Sequence, residues 1–225
     1  MVSQARSIRT RNKVLMATAE AINELSYEKA TLTDIAKRAG VTTGAVYFHF
    51  PSKEAVAHAV IDTQNALSQQ KAQVTVEGGY PALEAMLRVS ADLMHDIVSD
   101  PLIRAGIRLT TEIHILDVPP TQSWRDWIVF NDSLMTAARM EGDLKGDFDI
   151  PAVAEVLTGS IAGLLIISAL FEDYSGLILR IQGLWHQFVR SYTPPEKVPY
   201  WAGRTDALFA SREDGSTAAP EGLAL

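Results

Sequence analysis

The chain contains no cysteine, which excludes disulfide staples, thiol nucleophiles and thiolate-bound zinc and agrees with a reducing compartment. It has no alternating Val/Ile/Thr run followed by a hairpin turn, so no strands are expected. It also lacks a G-x-S-x-G elbow, a phosphate loop and a dinucleotide fingerprint. The five histidines, His49, His58, His95, His114 and His186, are not at metal-ligand spacing. His95 between Asp92 and Asp96 reads as a solvated face, and Glu112 with His114 as surface residues at a helix end. No catalytic residue, metal or cofactor is therefore assigned, and the expectation is a protein that is not an enzyme. The longest nearly apolar run, Val156 to Leu170, is 15 residues and contains Thr158, Ser160 and Ser168. That is too short for a bilayer core of ~30 Å at about 1.5 Å per helical residue. The leading MVSQARSIRTRNK has charges but no apolar stretch of the secretory kind. A soluble, cytoplasmic protein with no membrane segment is expected.

The 225 residues are 47% apolar and 21% charged, enough for one or two packed domains. The formal charge of −7 is unevenly spread: residues 1–53 carry eight basic and four acidic side chains, a net +4, leaving −11 for the other 172. A basic end on an acidic body suggests that this end meets a polyanion.

Hydrophobic periodicity is helical throughout and predicts an all-α fold of roughly nine helices. The first covers about Ser7 to Leu25, with Val14, Leu15, Ala17, Ala21, Ile22 and Leu25 in one apolar stripe. Thr33 is placed as the cap of a short helix ending near Ala39, with Gly40 as its stop. A second short helix spans about 43–48, and Ser52 caps a long one from Lys53 to about Val74. Pro81 suits the first turn of the next helix, and further helices are expected at about 101–112, 123–140, 151–170 and 175–191. Asp117 to Pro120 reads as an irregular connection, Gly142 to Asp149 as a loop, and everything from Gly203 as a disordered tail.

Residues 31–53, TLTDIAKRAGVTTGAVYFHFPSK, are two short helices separated by a Gly-containing turn, the helix-turn-helix arrangement. Ile35, Ala36, Val41, Ala45 and Val46 face inward, and Gly40 permits a positive φ at the turn. Phe48 and Phe50 are expected to pack inward and Tyr47 outward. The second helix then presents Thr42, Thr43, Gly44, Tyr47 and His49 to phosphates and base edges in a major groove. Lys53 opens the following helix, where its ammonium and the free backbone N–H groups suit a phosphate. Arg9 and Thr33 complete the candidate DNA-contacting set.

This segment, with its IAKRAGV, GAVYFHF and SKE elements between Leu32 and Glu54, resembles the DNA-binding domain of tetracycline-repressor (TetR) family regulators. The resemblance implies a homodimeric repressor on a palindromic operator, with a variable helical domain for a small effector. PLIRAGIRLTTE (Pro101 to Glu112), Pro119-Pro120 and SWRDW (Ser123 to Trp127) look like the γ-butyrolactone receptor branch, sensors of autoregulator lactones and related furan or butenolide signals. By that resemblance Trp127 falls at the branch's pocket tryptophan. The branch commonly carries Lys after the Thr of the recognition helix, whereas this chain has Thr43, which removes one charged contact.

The expected organisation is a DNA-binding domain at 1–53, a helical effector and dimerisation domain at 54–202 and a tail at 203–225. Val156 to Leu170 is apolar nearly all round and must be covered on several sides. With the stripe Leu177, Ile181, Leu184, Trp185 and Phe188 of the last helix, it suits a four-helix interface between two subunits. An effector cavity is expected beside that interface, lined by Leu87, Leu109, Trp127, Phe130 and Ile161, with Gln64 and Thr158 for a hydroxyl or carbonyl; Thr158 can also bond its own helix backbone four residues back. Such a lining suits a small, mostly uncharged ligand. The alternatives are a fatty acyl or drug-like ligand for the same repressor, or a small-molecule carrier or enzyme with a vestigial DNA-binding domain.

Overall fold

The computed structural model describes residues 2–111, 121–171 and 174–210. Ten α-helices are formed by these residues: α1 (Val2–Leu25), α2 (Leu32–Ala39), α3 (Thr43–His49), α4 (Lys53–Glu77), α5 (Ala82–Ser99), α6 (Pro101–Thr111), α7 (Thr121–Met140), α8 (Ile150–Phe171), α9 (Leu177–Tyr192) and α10 (Val198–Phe209). The all-α expectation holds. Asp117 to Pro120, Glu112, His114 and the segment from Ser211 onward lie outside the described residues.

Local chemistry sets the helix ends. Thr31, not Thr33, caps α2: its Oγ1 accepts from the Asp34 backbone N–H at 3.1 Å, and the Asp34 carboxylate accepts from the Thr31 backbone N–H at 3.2 Å. The carboxylate three residues on is what selects Thr31, since Thr33 has no such reciprocal partner. Gly40 closes α2 with φ 65°, a left-handed conformation that favours glycine. Ser52 Oγ accepts from the Ala55 N–H and caps α4 as expected. Pro81 stands at the N-cap of α5, one residue before its first turn.

Two cores share α4 and α6. One is built from Val14, Leu15, Ile22, Ile35, Val46, Phe50, Val56, Val60 and Ile61 and takes Leu102, Ala105 and Leu109 from α6. The packing of the helix-turn-helix unit thus continues past residue 53 into the first turns of α4. The second core joins α5, α7, α8, α9 and α10 around Leu83, Met86, Leu87, Met94, Met135, Leu165, Ile181 and Trp185. Helix α6 touches both α1 and α4 and is clipped to α1: Arg108 Nη1 donates to Ile22 O at 3.0 Å and Asn23 Nδ2 to Pro101 O at 2.8 Å.

Three expectations are corrected. Phe48 does not pack inward; it is 81% exposed, whereas Phe50 is buried. The tail does not begin at Gly203, because α10 runs to Phe209 and buries Trp201, Thr205 and Phe209. And α8 exceeds its apolar run: it is 22 residues long, and by length and composition alone it could cross a bilayer. Its environment is nevertheless that of a packed helix on one side, with Leu157, Thr158, Leu165 and Ser168 buried against the rest of the chain.

Candidate functional site

Helix α3 is held by its own short-range bonds. Thr42 Oγ1 accepts from the Ala45 N–H at 3.1 Å, and Val46 and Phe50 anchor the helix in the first core. Residues four apart stack on one face, so Thr43 lies beneath Tyr47 and Gly44 beneath Phe48. Tyr47 is 54% exposed. His49 ends the helix half-buried, its ring edge-on to Phe48 with centroids 5.2 Å apart.

The exposed N-terminal half of α1 runs beside the turn between α2 and α3. Arg6, Arg9 and Lys13 line one cleft with Val41, and Arg9 and Lys13 a second with Arg38 and Ala39. Arg38 is partly committed, donating to Glu24 at 2.6 Å; that hydrogen bond and the charge of Arg38 hold the Glu24 carboxyl below its usual range. Thr33 is exposed on α2. Lys53 is more engaged than its sequence position suggests: Nζ donates to Glu28 O at 3.0 Å and lies 4.4 Å from the Tyr27 ring centroid. Burial in that niche pushes its pKa down, against the opposing charge of Glu28.

Between α4, α5, α6, α7, α8 and α9 lies a cavity of about 50 Å³. Of the seven candidate lining residues, Gln64, Trp127, Phe130, Thr158 and Ile161 meet there, with the Trp127 and Phe130 rings edge-to-face at 5.4 Å. Leu87 and Leu109 do not. Leu87 is fully buried in the second core, and Leu109 faces the opposite side of α6, where it fills the core beneath α1.

Polar groups line more of this cavity than the sequence reading assigned. Asn65 Nδ2 donates to Ser123 Oγ, Trp185 Nε1 to Ser90 Oγ at 2.8 Å, and Asn131 Nδ2 to Thr158 Oγ1 at 3.1 Å. Thr158 Oγ1 itself donates to Ala154 O, the backbone bond four residues back. Gln64 Nε2 donates to Ser68 Oγ at 3.0 Å, while its buried Oε1 has no donor among the described residues. No Asp, Glu, Lys, Arg or His lines the cavity among the described residues. The sequence signal for Asn131 is its spacing: it stands one helical turn after Trp127, on the same side of α7.

Comparison with known proteins bears on both regions. The family model "Bacterial regulatory proteins, tetR family" matches residues 14–60, and "Tetracyclin repressor-like, C-terminal domain" matches residues 80–194. The chain is 27% identical over 215 residues to the A-factor receptor protein of Streptomyces griseus, covering 95% of this chain and 75% of that one. Among solved structures, a γ-butyrolactone receptor (ArpA-like protein) is 29% identical with a TM-score of 0.77, covering 91% of this chain and 98% of that one. CprB of Streptomyces coelicolor in complex with its biological operator sequence is 29% identical with a TM-score of 0.76, covering 90% and 98%.

Proposed function

The chain belongs to the TetR family of bacterial regulatory proteins, and from that premise we propose that it is a dimeric, cytoplasmic transcriptional repressor, released from its operator by a small uncharged signal of the γ-butyrolactone, butenolide or furan type. It is not assigned an enzymatic activity. The single observation that carries the reading is the pairing, on one chain, of an outward-facing α3 flanked by basic side chains with an apolar cavity that reaches α3's domain through α6.

The DNA contacts follow from chemistry. Thr43 and Tyr47 offer hydroxyls to base edges and phosphates, Gly44 an open backbone, and Arg6, Arg9 and Lys13 charge for the flanking phosphates. Lys53 keeps two N–H groups beyond its bond to Glu28 and remains a weaker phosphate candidate, as do Thr33, Thr42 and His49 at the edges of the face.

The effector follows from the cavity. Among the described residues its wall carries no charged side chain to offset the desolvation of a carboxylate, which disfavours a free fatty acid. A ligand hydroxyl would give Gln64 Oε1 the donor it lacks, and Trp127 and Phe130 would hold the apolar part. About 50 Å³ is room for a few waters, whereas ligand pockets commonly enclose roughly 300–1,000 Å³. Ligand binding thus widens this space by moving the helices around it, α6 among them. Because α6 is clipped to α1, that movement alters how α3 is presented. Ligand then relieves repression by its greater affinity for the widened state.

The test is operator binding by the full-length chain to fragments of its gene's own upstream region. The expected result is affinity whose logarithm falls with log salt by about 0.9 per phosphate contact, lost in Tyr47→Ala and relieved by a γ-butyrolactone. In Trp127→Ala, DNA binding should persist and the lactone response weaken. Salt-insensitive or absent DNA binding would sink the reading; intact binding with no lactone response would sink only the effector assignment.

A further inference from the structure

Phe48 is the most exposed aromatic side chain on α3 and one of the most exposed apolar residues described anywhere in the chain. Leaving that ring in water is unfavourable, so its use has to be found. Resting on the DNA-binding reading above, we propose that Phe48 reads sequence: its ring takes the C5-methyl group of a thymine in each operator half-site.

The local geometry favours an approaching base. Helical side chains lean toward the N-terminus, over the residue four positions earlier. For Phe48 that residue is Gly44, where even an added Cβ would find only Thr42 Oγ1, at 3.9 Å. The floor beside the ring is therefore bare. On its other side the His49 ring packs edge to face against it at 84°.

The surroundings select the partner. Arg6, Arg9 and Lys13 beside Val41 attract a polyanion, and they do not suit an apolar protein surface. Phe48 shares its face with Gly44, and the adjoining strip carries Thr43 and Tyr47, which can exchange hydrogen bonds with base edges, whereas a phenyl ring cannot. In a major groove of ordinary bases the one feature that a phenyl ring rewards is the thymine methyl. The position thus contributes specificity, while the cationic side chains contribute affinity that any sequence would receive.

The experiment uses a duplex selected by the full-length wild-type chain from a random pool. Each thymine is replaced singly by deoxyuridine, which removes the methyl and nothing else. The expected result is one thymine per half-site at which this replacement weakens wild-type binding roughly fourfold, the worth of one buried methyl. Phe48→Ala should bind the thymine and deoxyuridine duplexes alike, with an unaltered unfolding midpoint because the ring has left no core. The inference is overturned if wild type tolerates every replacement, or if Phe48→Ala keeps the same penalty. Failure to select any duplex overturns it together with the DNA-binding reading, whereas selection without methyl sensitivity leaves that reading standing.

Discussion

Gly106 illustrates how far one atom can decide a helix crossing. An ideal Cβ at this position would sit 2.4 Å from Gln64 Cβ and 2.7 Å from Gln64 Cγ. Helix propensity alone favours Gly106→Ala by about 1 kcal/mol. The clash is with atoms near the α4 backbone that cannot swing aside, and overpacking of this kind costs about 1–3 kcal/mol. The clash should win: urea unfolding of Gly106→Ala is expected at a lower midpoint, and an equal or higher midpoint would mean that α4 and α6 separate freely. Because Gln64 walls the cavity, the same variant should also shift lactone sensitivity. At this scale the sequence was only partly legible. Residues two apart on a helix point about 200° away from each other, so the inward-facing pair on α3 is Val46 with Phe50, four apart, and Phe48 is forced to the opposite side. Leu109 is ambiguous for a similar reason, since α6 has two buried faces and periodicity does not say which one meets the cavity.

Among the elements, α10 is tied to the rest by a buried carboxylate. Glu84 Oε1 of α5 accepts from Arg88 Nη2 at 2.6 Å and from Arg204 Nη2 of α10 at 2.5 Å, while the Arg88 guanidinium lies 3.9 Å from the Tyr80 ring centroid. Burial pushes the Glu84 carboxyl up, but the hydrogen bonds from Arg204 and Arg88 outweigh it and hold the group below its usual range. The depressed pKa fixes the sign. The stabilisation is fully present above the unfolded-state value and is lost as pH falls through the lower folded-state value. Glu84→Gln should therefore destabilise the protein by about 1–3 kcal/mol at neutral pH. The gap from wild type should narrow once acid protonates Glu84 itself. Chemical unfolding of both proteins at neutral and acid pH checks this, and a gap that widens in acid would contradict it. The helix itself was available to periodicity, since Trp201, Thr205 and Phe209 recur every four residues. The Gly, Arg and Asp among them give the segment a tail-like composition that masks this spacing. The bounds of α5 to α9 lie close to those expected, because Pro81, Asp100 with Pro101, and the loop from Gly142 to Asp149 interrupt the apolar runs.

For the whole molecule, the question is what covers the outer side of α8 and α9. An all-round apolar α8 could not be divided into faces from sequence, because its hydrophobicity has almost no direction. In the folded chain, Val156, Ile166, Ile167 and Leu170 stay exposed, and Leu179 of α9 joins them. Leu170 and Leu179 are each 73% exposed. Among the described residues nothing lies within contact distance of a Cβ added at Gly159 or Gly163 of α8 or Gly183 of α9, so another backbone could approach closely. This surface needs an apolar cover, and a second copy offers the matching one by two-fold symmetry. The same symmetry supplies two α3 helices for half-sites about 34 Å apart. A carboxylate inside such an interface would be buried without a partner, so Val156→Glu with Leu179→Glu should yield a folded monomer. Light scattering should give half the wild-type mass while circular dichroism remains helical. That monomer should lose most operator affinity with α3 unaltered, because one half-site alone supplies only part of the contacts. If the double variant stayed dimeric, the interface would have to lie elsewhere; if it were monomeric yet bound the operator as tightly as wild type, the two-fold presentation of α3 would be wrong.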